Sequence, residues 1–428
     1  MYQPKLKIIN LERYLLYVLI LSMATYAIPW MRIDLEKTII PIGGIFLLLL
    51  CFLLLIRYLY TKKIALNKVL IFSLFLLYFS IVSSSFFPIS LETERIIKSS
   101  IFMILPILFT QILNDYKSLK IAIYSIIIVG IILGIYGFYN YFTGNIGGET
   151  EKDWWWTYAR YYGIHYLPST RNSDIYYIAI PFIFVLTLLF FSSLRLSFFK
   201  ISLLLSSSIM FFLGILLSFS RGVWFSLAMT ITVFLFLIYK GLGISKRSKL
   251  KFWLLTILII IFLIVGLKAL NYFGMYNYFI GKVISILSPE TASYYLEESI
   301  SNKERIEIIK ATFNIIINNP FGVGQDNLRY FYPSYGLYVY HPENSYLHIL
   351  AENGLFGFIG YLIFIFYPLV FLYRKIKEGS HDWVRISIFL VLIYLAISYM
   401  FNVEVFSFYN WIIHSIIWSS ITVKREHK

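Results

Sequence analysis

Apolar residues run along this chain in blocks close to the roughly 20 residues that carry a helix across a bilayer. They fall at about 14–30, 38–57, 69–87, 96–113, 121–142, 174–194, 201–219, 222–239, 252–270, 346–372, 386–402 and 406–422. The expectation is an all-α integral membrane protein with about 12 transmembrane helices. The seventh and eighth blocks are interrupted only by Ser220-Arg221-Gly222. One helix through both, about 38 residues, would far exceed the bilayer, so a tight turn at the membrane surface is predicted there.

The polar segments set the orientation. Lys240 to Lys251, with Arg247 between, and Arg374, Lys375 and Lys377 mark cytoplasmic ends by the positive-inside rule, which puts both termini in the cytoplasm. Lys5 and Lys7 precede the first block as in a signal peptide, but Glu12 and Arg13 intervene and no A-x-A site closes it, so an uncleaved first helix is expected. The chain then reads as a single polytopic domain over 1–428 in which two extracytoplasmic loops are longer than turns, a smaller one at 143–173 and a large one at 271–345. The first carries Trp154, Trp155 and Trp156, either an interfacial belt or a sugar-stacking platform. In the second, the pattern Ser301 to Glu304 reads as a capping box. It opens an amphipathic helix with Ile306, Ile309, Phe313 and Ile316 on one face, which Asn319-Pro320 ends.

Composition makes lipid the solvent: 59% of the 428 residues are hydrophobic and only 14% are charged, a balance that a soluble domain could not cover with polar groups. The net charge of +15 does not imply nucleic acid, because the basic residues punctuate apolar runs instead of forming a basic face. The single cysteine, Cys51, excludes an internal disulfide and a cysteine-based metal site.

Chemistry on a membrane-embedded substrate needs polar groups at the mouth of the bundle, since charges at the bilayer centre are costly. Arg221 lies between two apolar helices on the side where positive charge is disfavoured, which suggests an anionic partner; snorkelling to headgroups is the alternative. Arg305 sits among Lys303, Glu304, Glu307 and Lys310, either one more charge on a solvated face or a second anion ligand. Asn319-Pro320-Phe321-Gly322-Val323-Gly324 is a helix stop and turn whose glycines also permit close backbone approach to an anion. Glu343 and His341 stand at the outer rim as candidate bases, and His348 and Glu352 share a helical face, paired in the bundle or serving the site. No D-x-D motif occurs, which disfavours a metal-dependent mechanism.

Taken in order, Ser220-Arg221-Gly222-Val223-Trp224, Arg305 with Asn319 to Gly324, and Glu343-Asn344-Ser345-Tyr346-Leu347 with Gly354 and Gly357 resemble the bacterial membrane O-antigen ligase and O-antigen polymerase superfamily. Arg171-Asn172-Ser173 is a weaker fourth element. The resemblance implies a GT-C-like fold in the bacterial cytoplasmic membrane. It also implies an inverting, metal-independent glycosyltransferase without a cofactor, acting at the outer face. The donor would be an undecaprenyl-diphosphate-linked oligosaccharide and the acceptor a glycan or lipid A core, with membrane lipid as the other partner. Arg221 and Arg305, with Gly322 and Gly324, would bind the diphosphate; Glu343 or His341 would act as base; Arg171, Asn172, Asn344 and Trp155 are candidate glycan contacts. Ligases of the family carry a histidine before the residue aligned with Asn344. Here Glu343 takes that place, which favours a polymerase over a ligase. A transporter or flippase is the reading from a different class, and charges gathered at helix ends rather than within helices speak against ion coupling.

Overall fold

The computed structural model describes residues 4–22, 32–35, 38–61, 67–84, 93–143, 176–191, 197–218, 220–240, 298–378, 382–402 and 407–423, with scattered positions between 257 and 271. Apart from Thr143, the last residue of a helix, the loop at 143–173, and with it Trp155, Arg171 and Asn172, lies outside the described residues, as does most of the ninth apolar block.

Described helices fall in the other predicted blocks, in whole or in part. In chain order they are α1 (Pro4–Leu21), α2 (Ile42–Thr61), α3 (Lys68–Ser84), α4 (Thr93–Ile112), α5 (Tyr116–Thr143), α6 (Tyr176–Phe191), α7 (Phe198–Leu217) and α8 (Arg221–Tyr239). After them come α9 (Glu298–Asn318), α10 (Ser345–Lys377), α11 (Trp383–Ser398) and α12 (Phe408–Thr422). Among the described residues four helical stretches, Tyr116–Tyr139, Phe198–Leu216, Arg221–Tyr239 and Ser345–Lys377, are long and apolar enough to cross a membrane. Several shorter apolar helices accompany them. Among the described residues the exception to the all-α expectation is a two-stranded antiparallel hairpin, β1 (Arg32–Leu35) with β2 (Thr38–Pro41), in register Ile33 to Ile40.

The first helix departs from its predicted bounds. It starts at Pro4 and runs through Glu12 and Arg13, because both charges have partners. Glu12 is fully buried and meets Arg57 of α2 at 2.6 Å, while Arg13 bonds Asn114 at 2.7 Å and pairs with Asp115 between α4 and α5. A charge with a neutralising partner no longer ends an apolar helix.

Close approach between helices is set by small residues. On α10, Gly357 lies against Ser80 and Gly360 against Ser73 of α3. On α5, Gly130 receives Pro181 of α6. Apart from part-buried Leu189, α6 is buried on every side, as a helix apolar all round should be. The outer surfaces are apolar too, with Phe72, Phe75 and Phe79 on α3, Phe198 and Phe199 on α7 and Phe225, Met229 and Phe236 on α8 all exposed, a surface suited to lipid.

The amphipathic helix α9 corrects two expectations. It starts at Glu298, so Ser301 lies inside it and is not its N-cap. The face it buries is Ile308, Ala311, Thr312 and Ile315, whereas Ile306 and Phe313 are exposed. Both stripes are apolar, and packing chose the one that seats on a second, smaller core with Val323, Leu328, Tyr332, Leu337 and Ala351. Tyr332 is buried with its hydroxyl on Thr312 Oγ1 at 2.8 Å, and burial pushes its phenol up to about 12.

Candidate active site

Helix ends meet at two places on opposite ends of α11. At its start, Asp382 caps the helix by accepting from Val384 N–H and takes the hydroxyl of Tyr116, the first residue of α5. At its finish, the turn Ser398 to Asn402 gathers the starts of three helices. Tyr176, opening α6, shares a hydrogen with Ser398 Oγ at 2.6 Å and accepts from Asn402 Nδ2 at 3.1 Å. Ser345, opening α10, donates its N–H to Tyr399 O and its hydroxyl to Asn402 O at 2.6 Å. Asn344 Nδ2 donates to Met400 O at 3.0 Å. Gly222, next to Arg221 at the start of α8, lies against Phe401, 2.6 Å from where a Cβ would stand. The segments bearing Arg221 and Asn344 and the start of α6 at Tyr176 therefore converge on one turn. Sequence reading passed over that turn, although a polar Asn402 at the end of the eleventh apolar block was its signal.

Above this turn, α9 carries Arg305 to Glu343. The Arg305 guanidinium meets the Glu343 carboxylate at 2.6 Å, with the two side chains 43% and 41% exposed. An ion pair this open to water contributes about 0–1 kcal/mol, so it is readily exchanged for a stronger partner. Glu343 holds a left-handed backbone, φ 51°, a conformation that costs a residue with a Cβ about 1–2 kcal/mol. The next residue, Asn344, caps α10 by accepting from Leu347 N–H at 3.0 Å. With its oxygen on the cap and its nitrogen on Met400 O, the Asn344 amide serves the fold first, where a glycan contact was expected.

The glycine turn is built differently from the expected anion cradle. Gly322 N–H donates to Asn319 O and Gly324 N–H to Glu352 O, both at 2.9 Å, and Val323 N–H donates to Ala351 O. The Val323 and Gly324 amides fasten the turn to a break in α10, where Gly354 adopts φ 66° and ψ −170°. Gly322 and Gly354 allow the contact itself. A Cβ on Gly322 would strike Glu352 O, and one on Gly354 would strike the backbone of Phe321.

Beneath lies a buried polar row that sequence reading only half saw. Glu352 Oε1 accepts from Asp326 N–H at 2.9 Å, and Oε2 meets His348 Nε2 at 3.2 Å. Gln325 accepts from Ser99 of α4 at 3.0 Å, and Asp326 pairs with Arg329 at 3.2 Å. The Gln-Asp-Asn run directly after Gly324 was the available signal. His341 stacks edge-on to His348, centroids 6.4 Å apart. Close packing around its ring, then the neighbouring His348, push its imidazole below the ordinary range, while Glu343 and Glu352 pull the other way. Its side chain remains open to solvent, which tempers each of these effects. Among the described residues no three His, Cys, Asp or Glu side chains gather where they would hold a metal ion.

Residues 206–362 match the family model described as O-antigen ligase. The matched segment runs from within α7 to within α10 and includes Arg221, Arg305, the glycine turn and Glu343. No curated protein matches the chain. The family match supports the O-antigen ligase and polymerase superfamily and, with the apolar helices, an integral membrane protein.

Proposed function

From the superfamily supported over residues 206–362, we propose that this protein is an inverting, metal-independent glycosyltransferase. It moves a glycan from undecaprenyl diphosphate onto an acceptor sugar at the outer face of the bacterial cytoplasmic membrane, as a polymerase of surface polysaccharide. The observation that carries this reading is the Arg305–Glu343 pair at 2.6 Å, one cation and one carboxylate on the same polar rim.

The chemistry follows from that pairing. As the glycosyl bond to the diphosphate breaks, negative charge grows on the leaving phosphate, and guanidinium groups stabilise it with charge-assisted, often bidentate hydrogen bonds. Arg305 exchanges its weak pair with Glu343 for the diphosphate, and Arg221 approaches from the start of α8. Glu343, released, accepts the proton of the acceptor hydroxyl as that oxygen attacks the anomeric carbon from the face opposite the departing phosphate. Gly322 and Gly324 serve the diphosphate indirectly, by holding the turn that follows α9 against α10. Glutamate at position 343, where ligases of the family carry histidine, favours the polymerase reading. In the membrane, twelve spans with both termini cytoplasmic put this rim outside.

The test is transfer from a synthetic lipid-linked donor by the purified protein. Glu343→Gln should lower the rate at least a hundredfold with donor affinity kept; near-normal transfer would remove Glu343 from the base role. A deletion strain separates the two acceptors. Surface glycan reduced to single capped repeats marks a polymerase, and its complete loss marks a ligase transferring to lipid A core.

A further inference from the structure

Between the small core and Glu343 the chain alternates. Leu337 is buried and Val339 packs against the same core, whereas Tyr338 and Tyr340 are 86% and 67% exposed. Side chains two residues apart in extended chain share a face and stand roughly 6.5 Å from each other. Two phenol rings are thus exposed to solvent, three and five residues before Glu343.

The base of this platform is fixed. Gly336 turns the chain with φ 74°, its N–H on Pro333 O at 3.0 Å, and Leu337 N–H donates to Tyr332 O at 3.1 Å. Tyr332 is in turn buried on Thr312 of α9, the helix that carries Arg305. The rings therefore ride on the element that positions the ion pair. Exposed tyrosines on a rigid backbone cost little ordering entropy and offer a flat apolar face with a polar edge, the surface against which the C–H faces of a sugar ring stack.

We propose that Tyr338 and Tyr340 form a stacking subsite for the acceptor glycan, placing a sugar hydroxyl toward Glu343. This rests on the proposed glycosyl transfer for the identity of the ligand as acceptor. A membrane-interface role for the rings is the competing outcome. It is disfavoured by the neighbours, because the segment leads into His341 and Glu343, which pairs with Arg305, while the exposed apolar stripe suited to lipid, Ile306, Phe313 and Ile317, belongs to α9.

The experiment compares wild type, the double variant Tyr338→Ala/Tyr340→Ala and the rescue variant Tyr338→Trp/Tyr340→Trp, each purified in nanodiscs. The probe is the repeat-unit oligosaccharide released by mild acid from the producing cell's surface polysaccharide, with maltohexaose as control. Saturation-transfer NMR reads contact between aromatic protons and sugar C–H groups, and the transfer assay reads KM for each substrate. The alanine pair should lose the NMR signal and raise acceptor KM about tenfold, with donor KM within about twofold and tryptophan restoring both. An unchanged acceptor KM and unchanged NMR signal overturn the subsite. An unfolding midpoint that drops in the alanine pair and varies with lipid composition, acceptor KM unmoved, overturns it in favour of an interfacial anchor. Wild type that binds the oligosaccharide through these rings but transfers nothing leaves the subsite standing and fails the proposed transferase.

Discussion

Glu343 breaks a local rule, and a residue that does so needs a reason. A left-handed backbone at φ 51° is ordinary for glycine and costly for glutamate, and the half-exposed pair with Arg305 returns little of that cost. Glu343→Gly is therefore expected to unfold no earlier than wild type, relieved of about 1 kcal/mol of strain, while losing transfer. A midpoint several degrees lower would make Glu343 a structural residue and sink the assignment. The choice between Glu343 and His341 is settled by pH. Held below its ordinary range, His341 is neutral at pH 7, so as a base it would lose activity only when acidified below about 6.5. His341→Gln should leave the acid limb of the pH–rate profile in place, and a limb that disappears with the imidazole would move the base role to His341.

At the scale of elements, the turn after α9 and the break in α10 are one device. The strand-like bonds from Val323 and Gly324 to Ala351 and Glu352, with Leu355 N–H on Pro320 O, form only because Gly322 and Gly354 have no Cβ to collide. Gly354→Ala faces both a backbone clash with Phe321 and φ 66°, whereas Gly336→Ala meets open space and only the φ penalty at 74°. The expectation is about 1 kcal/mol for Gly336→Ala and several for Gly354→Ala, read as denaturation midpoints of the purified protein. Equal losses would mean that the turn and the break are not coupled. The sequence made these glycines visible as a turn, but not the surface they pack on, because the contact joins segments some 30 residues apart. For the same reason the face of α9 was misread. Ile306, Ile309 and Phe313 are as apolar as Ile308, Ala311 and Ile315, and only the small core under Tyr332 decides between them.

At the scale of the molecule, the long apolar runs were legible because lipid or bundle contact demands them along the whole helix, whatever the tertiary partners. What could not be read was which polar residues belong together, since Tyr176, Ser345 and Asn402 meet across more than 200 positions. Their meeting has a topological consequence. α11 ties its start to the start of α5 through Asp382 and Tyr116, and its finish to the starts of α6, α8 and α10, so those two groups of helix ends lie at opposite ends of the bundle. Arg374, Lys375 and Lys377 close α10 at the end away from Ser345, and basic residues flanking spans mark the cytoplasmic side. On the proposed topology the rim with Arg305 and Glu343 faces outward. The chain's lone cysteine, Cys51, makes a clean test, because Cys51→Ser gives a thiol-free background. Ser334→Cys, in the exposed turn before Tyr338, should react with a membrane-impermeant maleimide in intact cells. Glu378→Cys, just past the basic end of α10, should react only after the membrane is opened. The reverse pattern would put the rim in the cytoplasm, where a glycan already carried to the outer face is out of reach, and the proposed transfer would fall with the topology.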